Sequence, residues 1–104
     1  VSPPRGGLSS EEVTNMKELT ILVQEHCRYC TEALNTIAGL KREHPELAEV
    51  PLRLIDEERH PEETKPYHYW YVPTFYLGRQ KLFEGAVDRY VMELILRAAL
   101  EADA

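Results

Sequence analysis

Two cysteines, the only ones in the chain, stand three residues apart in Cys27-Arg28-Tyr29-Cys30, just after the apolar run Leu19-Thr20-Ile21-Leu22-Val23. The run is rich in β-branched residues and nearly all apolar, as suits a central strand buried on both faces. Beyond Cys30, the small or apolar residues Ala33, Leu34, Ile37 and Ala38 recur at the three-and-four spacing of one helical face, and His44-Pro45 supplies a stop. This stretch is therefore held to a strand, a loop carrying Cys27, and a helix. Two thiols so spaced can close a disulfide if the second lies in the helix's first turn, where free backbone N–H groups and the helix dipole favour a thiolate. A redox pair is the leading reading.

Further along, Val50 to Ile55 reads as a second strand, with Leu52 and Leu54 alternating against Arg53. A return parallel to the first strand is the geometry that a strand-helix-strand unit favours. Asp56 to Tyr69 is charged and broken by prolines, and Pro61 is placed to open a short helix. Thr74 to Leu77 and Gln80 to Glu84 flank Gly78-Arg79, a two-residue connection whose leading glycine suits a type II′ hairpin. Asp88 can cap a last helix with the apolar stripe Val91, Leu94, Ile95 and Ala98. The order gives an α/β fold: a four-stranded mixed sheet with helices on both faces.

A length of 104 residues is that of one domain. Residues 1–15 are expected to form a flexible tail, because Val1 to Ser10 holds two prolines, two glycines and three serines and has little to bury. Ser10 can cap a short turn over Glu11, Glu12 and Val13. Residues 16–104 form the folded domain. Acidic residues outnumber basic ones by 18 to 12, so phosphate backbones meet no attractive net field and nucleic acid is not an expected partner. No apolar stretch approaches the roughly 20 residues that span a bilayer. The N-terminal residues lack the apolar core of a secretory signal, which makes a reducing cytoplasm the expected compartment. A monomer is the expected state.

Four features in order resemble the thioredoxin-fold superfamily, nearer its small glutaredoxin and thioredoxin-like members. They are the apolar strand leading into Cys27-x-x-Cys30, the strand end Leu54-Ile55-Asp56, Val72-Pro73-Thr74 before the hairpin, and Gly85-Ala86 before the final helix. The resemblance covers about Lys17 to Leu100. It implies a thiol-disulfide oxidoreductase in which Cys27 attacks and Cys30, shielded one turn later, resolves. It also implies that Pro73 is cis beside the cysteine pair and that the backbone of Val72 pairs with an extended peptide or with glutathione. No tightly bound cofactor or metal is expected; the electrons would come from glutathione or an external, flavin-dependent reductase. The substrate is then a disulfide-bearing protein or glutathione.

The residues around the pair match neither branch in full. Tyr29 agrees with the aromatic that glutaredoxins carry before the second cysteine, while Arg28 replaces their proline and the glycine of thioredoxins. Arg28 is expected to be exposed, and is suited to steer an anionic substrate such as glutathione. Arg28 and a protonated His26 favour a Cys27 thiolate, whereas Glu25 opposes it. Gln24-Glu25-His26 lacks the lysine that holds a glutathione carboxylate in glutaredoxins. Gly85 and Asp88 stand where those enzymes bind the rest of glutathione, although Asp88 serves equally well as a helix cap. The aromatic run Tyr67, Tyr69, Trp70, Tyr71, Phe75 and Tyr76 reads first as alternating core and half-buried residues, with a recognition surface as the second reading.

Two other functions compete with the enzyme. One is a binding or redox-switch domain without turnover. The other is a zinc-stabilised module drawing two further ligands from His26, His44, His60 and His68, none of which shows zinc-finger spacing.

Overall fold

The computed structural model describes residues 18–102. The expected tail over residues 1–15 and the capped turn at Ser10 lie outside them. Strand β1 (Leu19–Val23) leads to helix α1 (Arg28–Glu43), a 3-10 turn (Pro45–Glu49), β2 (Leu52–Asp56), a second 3-10 turn (Pro61–Thr64), the hairpin β3 (Thr74–Leu77) and β4 (Gln80–Glu84), and finally α2 (Arg89–Glu101). The strands form one sheet in the order β2-β1-β3-β4. β1 runs parallel to β2, pairing Leu22 with Ile55, and antiparallel to β3, pairing Leu22 with Thr74. This is the expected mixed sheet, with its most apolar strand at the centre.

Helices α1 and α2 pack on one face. Ala33, Ile37 and Leu40 of α1 meet Met92, Ile95, Leu96 and Ala99 of α2 over Leu19, Ile21 and Phe75 of the sheet. Each large aliphatic side chain so buried contributes about 1.5–3 kcal/mol of transfer free energy. The other face holds Leu22, Ile55 and Tyr76 under Tyr67, Tyr69 and Val72. Its helical cover among the described residues is the single 3-10 turn that Pro61 opens, and the irregular chain after that turn does the rest. That chain is anchored by the Tyr76 hydroxyl, which donates to the His68 carbonyl at 2.7 Å and accepts from the His68 N–H at 3.2 Å.

Three local expectations shift. The second strand begins at Leu52, not Val50, because the Val50 N–H closes the 3-10 turn on the Leu47 carbonyl at 3.1 Å while its side chain enters the core. In α1 the stripe takes Leu40 and leaves Ala38 exposed. In α2 it turns by one residue: Met92, Ile95, Leu96 and Ala99 are buried, while Leu94 and Ala98 are exposed. The sequence offers two overlapping apolar stripes there, and contact with the sheet selects between them. The hairpin is as read, with Gly78 at φ +61° and no positive φ at Arg79, the pattern of a type II′ turn. No helix among the described residues is long and apolar enough to cross a membrane.

Candidate active site

The carboxyl ends of β1 and β2 and the start of β3 lie at one end of the sheet, and the cysteine pair sits there. His26 adopts φ +64°, a left-handed conformation that histidine tolerates better than most residues, and so turns the chain sharply into α1. Cys27 is the N-cap of α1: its Sγ accepts the Cys30 backbone N–H at 3.1 Å, in the role a serine oxygen usually fills. One of the orphan donors at the helix start is thereby aimed at the sulfur. Both thiols are free; Cys27 is half-buried and Cys30 is 3% exposed.

The two sulfurs are thus differently placed. Cys27 can be reached. Burial, first of all, pushes the Cys30 thiol up to about 12; its hydrogen bond with Cys27 and the charges of Cys27 and Glu57 push the same way, and only the Gln24 backbone opposes them. Cys30 therefore keeps its proton at neutral pH.

Glu57, just after β2, was not anticipated from the sequence. Its backbone N–H donates to the Val23 carbonyl at 2.9 Å, which ties it to the end of β1. Its carboxylate accepts the Gln24 side-chain amide at 2.9 Å and the Tyr69 hydroxyl at 2.5 Å. Burial and this carboxylate raise the Tyr69 pKa, so the phenol stays a donor. The available signal was an acidic residue at a strand end beside the cysteine loop, but its two partners come from different segments of chain.

The charged neighbours of the pair are matched with one another. Arg28 is exposed as expected, and its guanidinium faces Glu32 one turn on at 3.1 Å. Glu25, which would disfavour a thiolate, faces Arg59 at 3.5 Å. Tyr29 is 54% exposed and lines a groove of about 330 Å3 with Glu32, Ala86, Val87 and Asp88. Asp88 caps α2, its Oδ1 accepting the Val91 N–H at 2.8 Å. Gly85 has φ +97°, which an L side chain rarely adopts.

The Val72–Pro73 peptide bond is cis and Pro73 is buried. The Pro73 carbonyl accepts the Gly85 N–H at 2.7 Å. Continuing the β1–β3 register by two residues sets Val72 opposite Gln24, at the root of the cysteine loop. The pair, Val72, Pro73, Gly85 and Asp88 are therefore brought to one end of the molecule from three separate segments.

The aromatic run divides more sharply than expected. Phe75 and Tyr76 are buried and Tyr67 and Tyr69 half-buried, but Trp70 is 88% and Tyr71 69% exposed. Half-burial of those two was the wrong expectation. Their backbone N–H groups both donate to Glu84, which turns this stretch of chain outward; the Tyr71 bond is 2.7 Å. Among the described residues no group of three or more His, Cys, Asp or Glu side chains is gathered where a metal could bind, so the zinc module gains no further ligands.

No protein-family model matches the sequence, and no curated protein matches it. Solved structures do. The germline-specific thioredoxin Deadhead of Drosophila melanogaster superposes with a TM-score of 0.59 at 20% identity, over 85% of this chain and 87% of that one. The chain has the thioredoxin fold. A structure described as a malarial protein gives a TM-score of 0.60 at 13% identity, covering 80% of this chain and 96% of that one. Human ERp44 in its zinc-bound form gives 0.56 at 17% identity, over 88% of this chain and 29% of that one. In this thioredoxin fold the Cys27–Cys30 pair stands at the junction of the central strand and the helix that follows it.

Proposed function

We propose that the protein is a thiol-disulfide oxidoreductase that reduces disulfides through Cys27 and Cys30. The observation that carries the reading is the asymmetry of the pair: an accessible Cys27 sulfur aligned on a helix N-terminus beside a buried, protonated Cys30.

The Cys27 thiolate attacks one sulfur of the substrate disulfide, forming a mixed disulfide and releasing the other substrate sulfur as a thiolate, which takes up a proton. Cys30 then loses its proton and attacks the Cys27 sulfur. A Cys27–Cys30 disulfide forms, the second substrate thiolate leaves and is protonated, and two electrons have passed from the pair to the substrate. Glu57, held by Gln24 and Tyr69, is the proton acceptor for Cys30 in this scheme. The backbone of Val72 and the groove beside Tyr29 and Asp88 bind the polypeptide or glutathione portion of the substrate. Two molecules of glutathione, which leave joined as glutathione disulfide, or the dithiol of a flavin-dependent reductase of the cytoplasm return the pair to the reduced state.

Turnover of a model disulfide, followed separately with glutathione and with a flavin-dependent thioredoxin reductase as donor, tests the reading. Catalysis with one donor is expected. Reversible oxidation of the pair without turnover under any donor would instead favour a redox-switch domain.

A further inference from the structure

An almost wholly exposed tryptophan beside a chemically active loop is unusual, because such a ring loses most when left in water and gains most when covered. Trp70, the chain's single tryptophan, is 88% exposed, and Tyr71 follows it. The backbone that carries them is tied down. The Glu84 carboxylate accepts both of their backbone N–H groups, the Lys81 ammonium meets Glu84 at 2.7 Å, and the Thr74 hydroxyl donates to the Tyr71 carbonyl. The Lys81 bond and the two N–H bonds hold Glu84 below the usual carboxylate range, so the clamp stays charged at neutral pH.

The loop runs straight into Val72, opposite Gln24 and the cysteine loop. Tyr29, inside the cysteine pair, adds a third exposed ring. Charge is largely cancelled here: Arg28 faces Glu32, Arg59 faces Glu25 and Lys81 faces Glu84. A small anionic thiol compound would meet cations already matched. An extended peptide would meet exposed rings on a loop whose backbone is already held, which lowers the ordering cost of binding.

We propose that Trp70 and Tyr71, displayed by the loop that Glu84 clamps, dock an extended polypeptide carrying an aromatic or large aliphatic residue next to its disulfide. The proposal rests on the reading of Cys27 and Cys30 as an exchanging pair and gives it a substrate class: protein disulfides in apolar sequence.

Two disulfide-bridged peptides of equal length, differing only in Phe or Ser beside the cysteine, are reduced by the full chain, with 2-hydroxyethyl disulfide as the small substrate. The wild type should reduce the Phe peptide about tenfold faster, the size of effect expected from one aromatic anchor. Trp70→Ala should abolish that preference while leaving the rate on 2-hydroxyethyl disulfide within about twofold, and Glu84→Gln should reduce it in part. A preference that is missing in the wild type, or that survives Trp70→Ala, overturns the proposal.

A second arm does not use the chemistry. In a Cys27→Ser protein, a Phe peptide with serine in place of cysteine should shift Trp70 emission to the blue, and the Ser peptide should not. A shift that appears without peptide and grows with protein concentration would assign the patch to a second copy of the chain and overturn the proposal. If no disulfide is reduced yet the emission shifts, the docking surface stands and the exchange reading fails.

Discussion

The Tyr69 hydroxyl donates to the Glu57 carboxylate across 2.5 Å, and Gln24 holds the other oxygen of that carboxylate. The chain following β1 and the chain following β2 supply two of these three residues, and the irregular segment over the second face supplies Tyr69. A carboxylate so held near Cys30 acts on it in one of two opposite directions. As a like charge it raises the thiol's pKa and its removal speeds the second attack; as a proton acceptor it starts that attack and its removal slows it. The second sense is expected to prevail. Glu57→Gln should slow release of substrate from the Cys27 mixed disulfide by about 10²-fold or more, with formation of that disulfide little changed. Rapid-quench trapping measures the two steps separately.

Replacing Cys30 with serine should leave Cys27 able to attack but nothing to resolve the product. Substrate should therefore accumulate covalently on Cys27, visible as a mass increase lost on adding reductant. Cys27→Ser should trap none. Trapping through position 30 instead would reverse the assignment of roles.

The reduced protein should lose stability in alkali through Cys30. Its folded thiol holds the proton up to about 12 against an ordinary value of 9.0, so the unfolded chain is the first to release it. Below pH 9.0 this group leaves stability unaffected; between there and about 12 stability falls, by up to ~4 kcal/mol. Cys30→Ala and the oxidised protein lack the titration. Urea melts at a series of pH values should show the reduced wild type falling more steeply than either across that window.

Asp88 separates a structural duty from a ligand duty. Asp88→Ala removes the cap on α2 and should cost about 1 kcal/mol, a fall in Tm of roughly 5 °C, whereas Asp88→Asn keeps an accepting oxygen and should recover most of it. If Asp88 also holds the amine of glutathione, Asp88→Asn should raise KM for glutathione while Tm stays near that of the wild type. Calorimetry and steady-state kinetics on the same two variants tell these apart.

The elements of the fold were legible because each has a local cause. The β-branched run Leu19–Val23, the prolines at 45 and 61, the Gly78-Arg79 turn and the Asp88 cap act within a few residues of themselves, and the structure places strands or helix boundaries at all of them. Where a local pattern had two solutions it was less informative. Both stripes on α2 are apolar, and only contact with Leu19, Ile21 and Phe75 buries Met92 and Leu96 rather than Leu94 and Ala98.

The sequence by itself placed the cysteine pair between strand and helix, which follows from short-range pattern, and its resemblance to the thioredoxin-fold superfamily implied the nearness of Val72-Pro73. Tertiary structure decided the rest. Glu57 reaches Gln24 across 33 residues and Tyr69 across 12, and Glu84 reaches back to Trp70 across 14, contacts that no local propensity encodes. The environment of Cys30 and the exposure of Trp70 were settled by which segments meet at the end of the sheet, because burial and hydrogen bonding depend on neighbours in space.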